Sequence, residues 1–192
     1  MGLLEQQKQN KQLGNKGMSF IEILVVVALM VILAAGTVSI IGLISSGDAK
    51  KAAKTVVTDL TDLKNRTLSI YGSWHGELGL NSDDVLEVGI YKGSDCMHSD
   101  RLGSRVEAKF YAGGDMNGDD IVNYQKEYDL MTADNRIKLV YSQGTGAIES
   151  LQVGSDDVLK LDGNCGYIKV FAGNTVYILK LYYKTGKIVA EL

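Results

Sequence analysis

The stretch ILVVVALMVILAAGTVSIIGLI, residues 23–44, runs for 22 residues without a charged side chain, and its reading decides the architecture to expect. An α-helix needs about 20 apolar residues to cross the roughly 30 Å hydrocarbon core of a bilayer, so the run reads as a transmembrane helix. Upstream, residues 1–17 set Lys8, Lys11 and Lys16 against Glu5, a net +2 of the sign that stays cytoplasmic. The remainder is then expected outside the cytoplasm. A removable secretory signal has an apolar core of about 7–15 residues followed by a small-x-small site, and this run is too long and lacks the site. Hydropathy alone leaves a plain single-pass signal anchor as the alternative.

The rest of the 192-residue chain is globular in composition, with 45% hydrophobic residues, 22% charged residues and a net charge of -3. Those values exclude bulk disorder and a collagen-like chain, and they indicate no polyanion-binding surface and no direct nucleic-acid motif. With 22 glycines and no proline, turns and helix bends must come from Gly, Asn and Asp. Two cysteines and two histidines are too few for a Cys/His zinc module of about four closely spaced ligands.

The residues at the start of the apolar run carry more information than its length. Lys16-Gly17-Met18-Ser19-Phe20-Ile21-Glu22, followed at once by the run, resembles the cleavage and methylation motif of type IV prepilins and pseudopilins. The resemblance implies that a prepilin peptidase cuts after Gly17 on the cytoplasmic side and N-methylates Met18. Glu22 would then be the fifth mature residue. The family most often begins its mature chain with Phe, and this chain has Met18 there.

Elementary chemistry marks the same positions. Gly17 interrupts helix and permits close backbone approach by a protease, while Lys16 holds the bond at the cytoplasmic face. Glu22 is a lone carboxylate on an apolar run, where acids are costly and usually paired. No Lys or Arg follows it until Lys50, about seven helical turns on. A free amine at Met18 is the nearest cation after cleavage, and its geometry favours a neighbouring chain, as the resemblance also implies. The alternative is that Glu22 snorkels to the interface.

Beyond residue 46 the apolar residues Ala53, Val56, Leu60, Leu63 and Ile70 recur on one helical face, with Lys51, Lys54, Asp59, Asp62 and Arg66 over much of the remainder. Read continuously from 18 to about 70, the helix would be roughly 80 Å long. Many family members carry a kinking Pro where this chain has Ser39; Gly36 and Gly42 could soften the helix instead. After Tyr71 the texture turns to β-prone runs at 85–91, 104–112, 136–142, 148–153, 167–172, 175–183 and 187–191, with Thr185-Gly186 as a hairpin turn. The expected fold is α+β: a long N-terminal helix, transmembrane in its first half and amphipathic in its second, packed on a mainly antiparallel sheet head. The expected organisation is a cleaved leader at 1–17, a transmembrane or filament-core helix at 18–46, and the amphipathic half with an extracytoplasmic head at 47–192.

Within the head, Asp115, Asn117, Asp119 and Asn123 fall at loop positions one, three, five and nine of a calcium loop of EF-hand or dockerin type. Position six is Asp120 instead of Gly, and position twelve is Lys126 instead of an acid. An Asx/Gly turn is the competing reading. No cofactor is required, and Ca²⁺ is a candidate at that loop alone. Cys96 and Cys165 are expected to form a disulfide if the head is exported, with two buried thiols as the alternative. Asp95-Cys96-Met97-His98-Ser99-Asp100 carries ligand-type side chains without a spacing motif or third partner, so no catalytic role is read from it. Trp74-His75 is expected at a packed corner between helix and sheet.

The expectation is therefore a structural subunit, major or minor, of a type IV pilus-like filament, and not an enzyme. The alternative is a pseudopilin of a type II secretion or DNA-uptake machine; a membrane-anchored sensor or enzyme is a third reading. The partners implied are prepilin peptidase, other pilin subunits, an inner-membrane assembly platform and the membrane itself. The expected location is the cytoplasmic membrane for the precursor, then an extracytoplasmic filament or cell surface.

Overall fold

The computed structural model describes residues 19–117, 120–161 and 163–191, apart from the side chains of 34–45 and of residue 191. Its elements in chain order are helix α1 (Phe20–Ser69) and strands β1 (Trp74–Leu80), β2 (Leu86–Lys92), β3 (Asp95–Arg101), β4 (Glu107–Ala112), β5 (Asp115–Asn117), β6 (Asp120–Val122) and β7 (Lys126–Asp129). These are followed by β8 (Ile137–Tyr141), β9 (Ile148–Val153), β10 (Asp156–Asp157), a 3₁₀ turn (Val158–Lys160), β11 (Cys165–Ala172), β12 (Thr175–Tyr182) and β13 (Lys187–Glu191). Two compact units, Met1–Ile40 and Ile41–Leu192, divide the chain.

In the first unit the helix opens on a side-chain cap. The amide of Ile23 donates to the carbonyl of Ser19 at 3.1 Å, the first helical bond, and the amide of Ser19 donates to Glu22 Oε2 at 2.7 Å. Ser19-x-x-Glu22 is the spacing of a capping box, in which the acid at the third helical position satisfies the amide of the cap residue. The large apolar side chains that follow, from Phe20 at 81% exposed to Leu33 at 69%, are exposed among the described residues.

In the second unit the helix face is set by Ala49, Ala52, Ala53, Val56, Leu60 and Leu63, all buried at three- and four-residue spacing. Small residues lead the stripe and let the backbone sit close to the sheet. On the opposite side, Gly76 of β1 meets the same requirement: a Cβ there would lie 2.7 Å from Leu63 Cδ2. The first sheet has six strands in the order β10-β9-β8-β1-β2-β3, and the second has five in the order β13-β12-β11-β4-β7. Every pairing is antiparallel.

One hydrophobic core joins the helix to both sheets. Val88, Ile90 and Leu139 enter it from the first sheet, and Phe110, Ile168, Val170 and Leu181 from the second. The other face of the second sheet has a smaller cluster of Tyr111, Tyr167 and Ile178 with Ile121 from the ribbon β5-β6. That ribbon therefore covers apolar surface that the alternation of β4, β11 and β12 would otherwise leave to water.

Three expectations are corrected here. The long helix packed on a sheet gives way to a mostly antiparallel β structure, in which described helical side chains occupy two short stretches, 20–33 and 46–69. Among the described residues no helix is long and apolar enough to cross a membrane. The side chains of 34–45, over which the expected span continues and in which Gly36, Ser39 and Gly42 fall, lie outside the described residues. The transmembrane helix is thus corrected, and with it the description as a membrane-inserted prepilin or pseudopilin and the single-pass location with an extracytoplasmic head.

The third correction concerns the thiols: Cys96 and Cys165 are both free. Cys96 is exposed on β3, the edge strand of the six-stranded sheet, and its thiol donates to the carbonyl of His98 at 3.6 Å. Cys165 is half-buried at the start of β11 in the five-stranded sheet, against the smaller cluster. Their even number allowed a bridge, but the tertiary structure assigns them to different sheets.

Candidate functional site

Two places gather chemistry. The first is the start of α1, where Glu22 is the acid that the sequence singles out. Its carboxylate accepts the Ser19 amide, so in a single chain it has a local partner and needs no cation to be satisfied. The Ser19-x-x-Glu22 spacing carries this signal in the sequence, independently of the charge on Glu22. Gly17 and Met18, the expected cleavage and methylation positions, lie outside the described residues.

The second place lies where β3 meets the second stretch of α1. Asp59 falls between Val56 and Leu60 on the buried face of the helix, with its side chain 7% exposed. His98 and Asp100 are two apart on β3 and so share one face of the edge strand, with side chains 44% and 49% exposed. His98 Nε2 lies 3.4 Å from Asp100 Oδ2 and 3.8 Å from Asp59 Oδ1, and one ligand atom from each residue falls within 4.8 Å of the others. The second oxygen, Asp59 Oδ2, is buried without a hydrogen-bond partner among the described residues. Burial, reinforced by the Asp100 and Asp62 carboxylates and opposed by His98, pushes the Asp59 carboxyl up to about 6.

The register of β3 on β2 contributes to this arrangement. Ile90 pairs with His98 and Tyr91 with Cys96, so Met97 is an extra residue in the ladder. A bulge of this kind breaks the alternation of the strand and re-aims the side chains beside it. The segment 95–100 thus has the third partner that the sequence does not display, supplied by Asp59 from 36 residues or more upstream. Asp59 itself reads as part of the polar helix face; only its burial reveals the role.

The proposed calcium residues are arranged differently. Asp115 and Asn117 are exposed on β5, which pairs with β6 in register Asp115 to Val122 and Asn117 to Asp120. Asn123 follows β6 with φ 56°, and Asp119 lies outside the described residues. Asp120, where a calcium loop would have Gly, belongs to β6, and its carboxylate accepts Lys169 Nζ at 3.2 Å. The strand pairing holds Asp115 and Asn117 on an extended ribbon, whereas a calcium loop wraps its ligands around the ion. Trp74 is buried at the head of β1 and donates to the carbonyl of Ile70 at 3.0 Å, so the corner between helix and sheet is as expected. His75 stacks on Tyr91 with centroids 5.2 Å apart.

No protein-family model, curated protein or solved structure matches the chain.

Proposed function

We propose that this chain is a structural subunit of a type IV pilus-like filament, assembled through its N-terminal helix after removal of residues 1–17 by a prepilin peptidase. The observation that carries the reading is the exposure of the helix over 20–33, where Phe20, Ile21, Leu24, Val27, Met30, Val31 and Leu33 are all half or more exposed. An exposed apolar patch of this extent, hydrophobic all round, marks an interaction surface. The run Val25-Val26-Val27 and the pair Val31-Ile32 are β-branched and lower intrinsic helix propensity, so this helix depends on packing for its stability. Neighbouring copies of the same helix would supply that packing.

The motif Lys16-Gly17-Met18-Ser19-Phe20-Ile21-Glu22 supports the same reading by resemblance. Glu22 has two roles in it: a cap for its own helix in the free subunit, and a partner for the Met18 amine of a neighbour in the filament. The experiment is to shear cells that express the chain, collect any filaments, and immunolabel them for the head. Filaments that contain the chain cut after Gly17 are expected. A chain that stays intact and unpolymerised in cells with active prepilin peptidase would overturn the proposal.

A further inference from the structure

We propose that Asp59, His98 and Asp100 form a binding site for a divalent transition-metal cation of the Zn²⁺ class, which would fasten the edge strand β3 to helix α1. The geometry is close to what such an ion demands. Around a tetrahedral cation with bonds of about 2.0–2.1 Å to nitrogen and oxygen, ligand atoms stand about 3.3 Å apart. His98 Nε2 and Asp100 Oδ2 are 3.4 Å apart, and His98 Nε2 and Asp59 Oδ1 are 3.8 Å apart. The third pair, Asp59 and Asp100, lies within 4.8 Å, and the two half-exposed side chains on β3 would draw inward to close the set. With three protein ligands, two of them half-exposed, water would take the fourth position.

A second observation separates this triad from an ordinary surface cluster. The Asp59 side chain is more than nine-tenths buried, and its Oδ2 has no donor among the described residues. A buried carboxylate with one oxygen left without a donor is costly to ionise. His98 relieves it only in part, because 3.8 Å is within ion-pair range but beyond hydrogen-bonding distance. A cation held between Asp59 and the two β3 residues supplies the missing counter-charge.

The donor set selects the class of ion. One imidazole nitrogen with two carboxylates suits Zn²⁺ and its first-row neighbours, whereas Ca²⁺ takes six to eight oxygens and Mg²⁺ a largely hydrated octahedron. The position selects the role. β3 has a pairing neighbour on one side only and an almost wholly exposed burial pattern, so apolar packing does little to hold it. A metal bond from β3 to the buried face of α1 would hold the strand where hydrophobic contacts do not.

The test uses the full-length chain in detergent, free of any polyhistidine tag, stripped with EDTA and titrated with ZnCl₂ by calorimetry, with a parallel thermal melt. One ion per chain and a melting temperature raised by several degrees are expected. Co²⁺ in place of Zn²⁺ should give the visible absorption of a tetrahedral centre. His98→Ala and Asp100→Asn should each weaken binding by more than about tenfold and abolish the Co²⁺ band. Both residues are half-exposed, so the variants should fold, which circular dichroism checks. His75→Ala, the other histidine, should bind as the unaltered chain does. Absence of binding at millimolar Zn²⁺, or binding unchanged in His98→Ala, would overturn the proposal. CaCl₂ binding as tightly as ZnCl₂ with no dependence on His98 would overturn it equally.

Discussion

Replacing Asp59 by Asn should remove a pH dependence of stability that the fold builds in through this one carboxyl. Asp59 titrates near its ordinary 3.8 when the chain is unfolded and at about 6 in the native head, because burial and the neighbouring Asp100 carboxylate disfavour its charge. Between those values the native state binds the proton more tightly than the unfolded state. The contribution of Asp59 to stability is therefore greatest below pH of about 4, falls as pH rises towards 6, and stays at its lower level above. At 1.36 kcal/mol per unit, a shift of about two units is worth about 3 kcal/mol, of which about 2 kcal/mol falls between roughly pH 4.5 and 7.5. Asn has the same shape and cannot ionise, and the cost of its own unpaired amide is the same at both pH values. Urea denaturation of the EDTA-treated chain and of Asp59→Asn, at about pH 4.5 and 7.5, isolates the difference. The variant should gain about 2 kcal/mol on the unaltered chain across that interval. Parallel profiles for the two proteins would refute the claim that burial disfavours the charge on Asp59.

Replacing Gly17 by a bulky residue should leave the chain uncut, which intact-mass measurement of extracted protein reads directly. Glu22→Gln, which keeps a carbonyl oxygen for the Ser19 amide but loses the charge, should preserve the start of the helix and reduce the sheared filament fraction; Glu22→Ala should lose both. Normal incorporation of Glu22→Gln would show that the charge is not an assembly contact. Leu63→Ala should destabilise the head by about 2–5 kcal/mol, since Leu63 is fully buried against β1. Alkylation without reductant should modify both Cys96 and Cys165, the exposed Cys96 faster, and peptide mapping that finds them joined would refute the free-thiol assignment.

What the sequence determined by itself was local. The stripe Ala53, Val56, Leu60, Leu63 obeys the 3.6-residue period, and all four residues are buried. The runs at 148–153, 175–183 and 187–191 alternate or are rich in β-branched and aromatic residues, and they form β9, β12 and β13. The turn before β13 follows from Gly186, with φ 59°, and Thr185. Each of these signals acts between residues a few positions apart, where backbone geometry alone fixes which side chains share a face.

What the sequence hid was decided by surroundings. β1 was missed because Gly76 and Gly79 interrupt its pattern, and Gly76 is there to admit Leu63 from the helix. β3 was missed because an almost wholly exposed edge strand needs no apolar alternation; it is held by its ladder to β2. The number of cysteines suggested a bridge, but only the sheets could show that Cys96 and Cys165 belong to different ones. Asp59 is the sharpest case: its identity says solvent, and its position three residues after Val56 and four before Leu63 says core. Only the packing of β3 against α1 brings His98 and Asp100 to it, because contact between residues so far apart in the chain is set by how helix and sheets share one core.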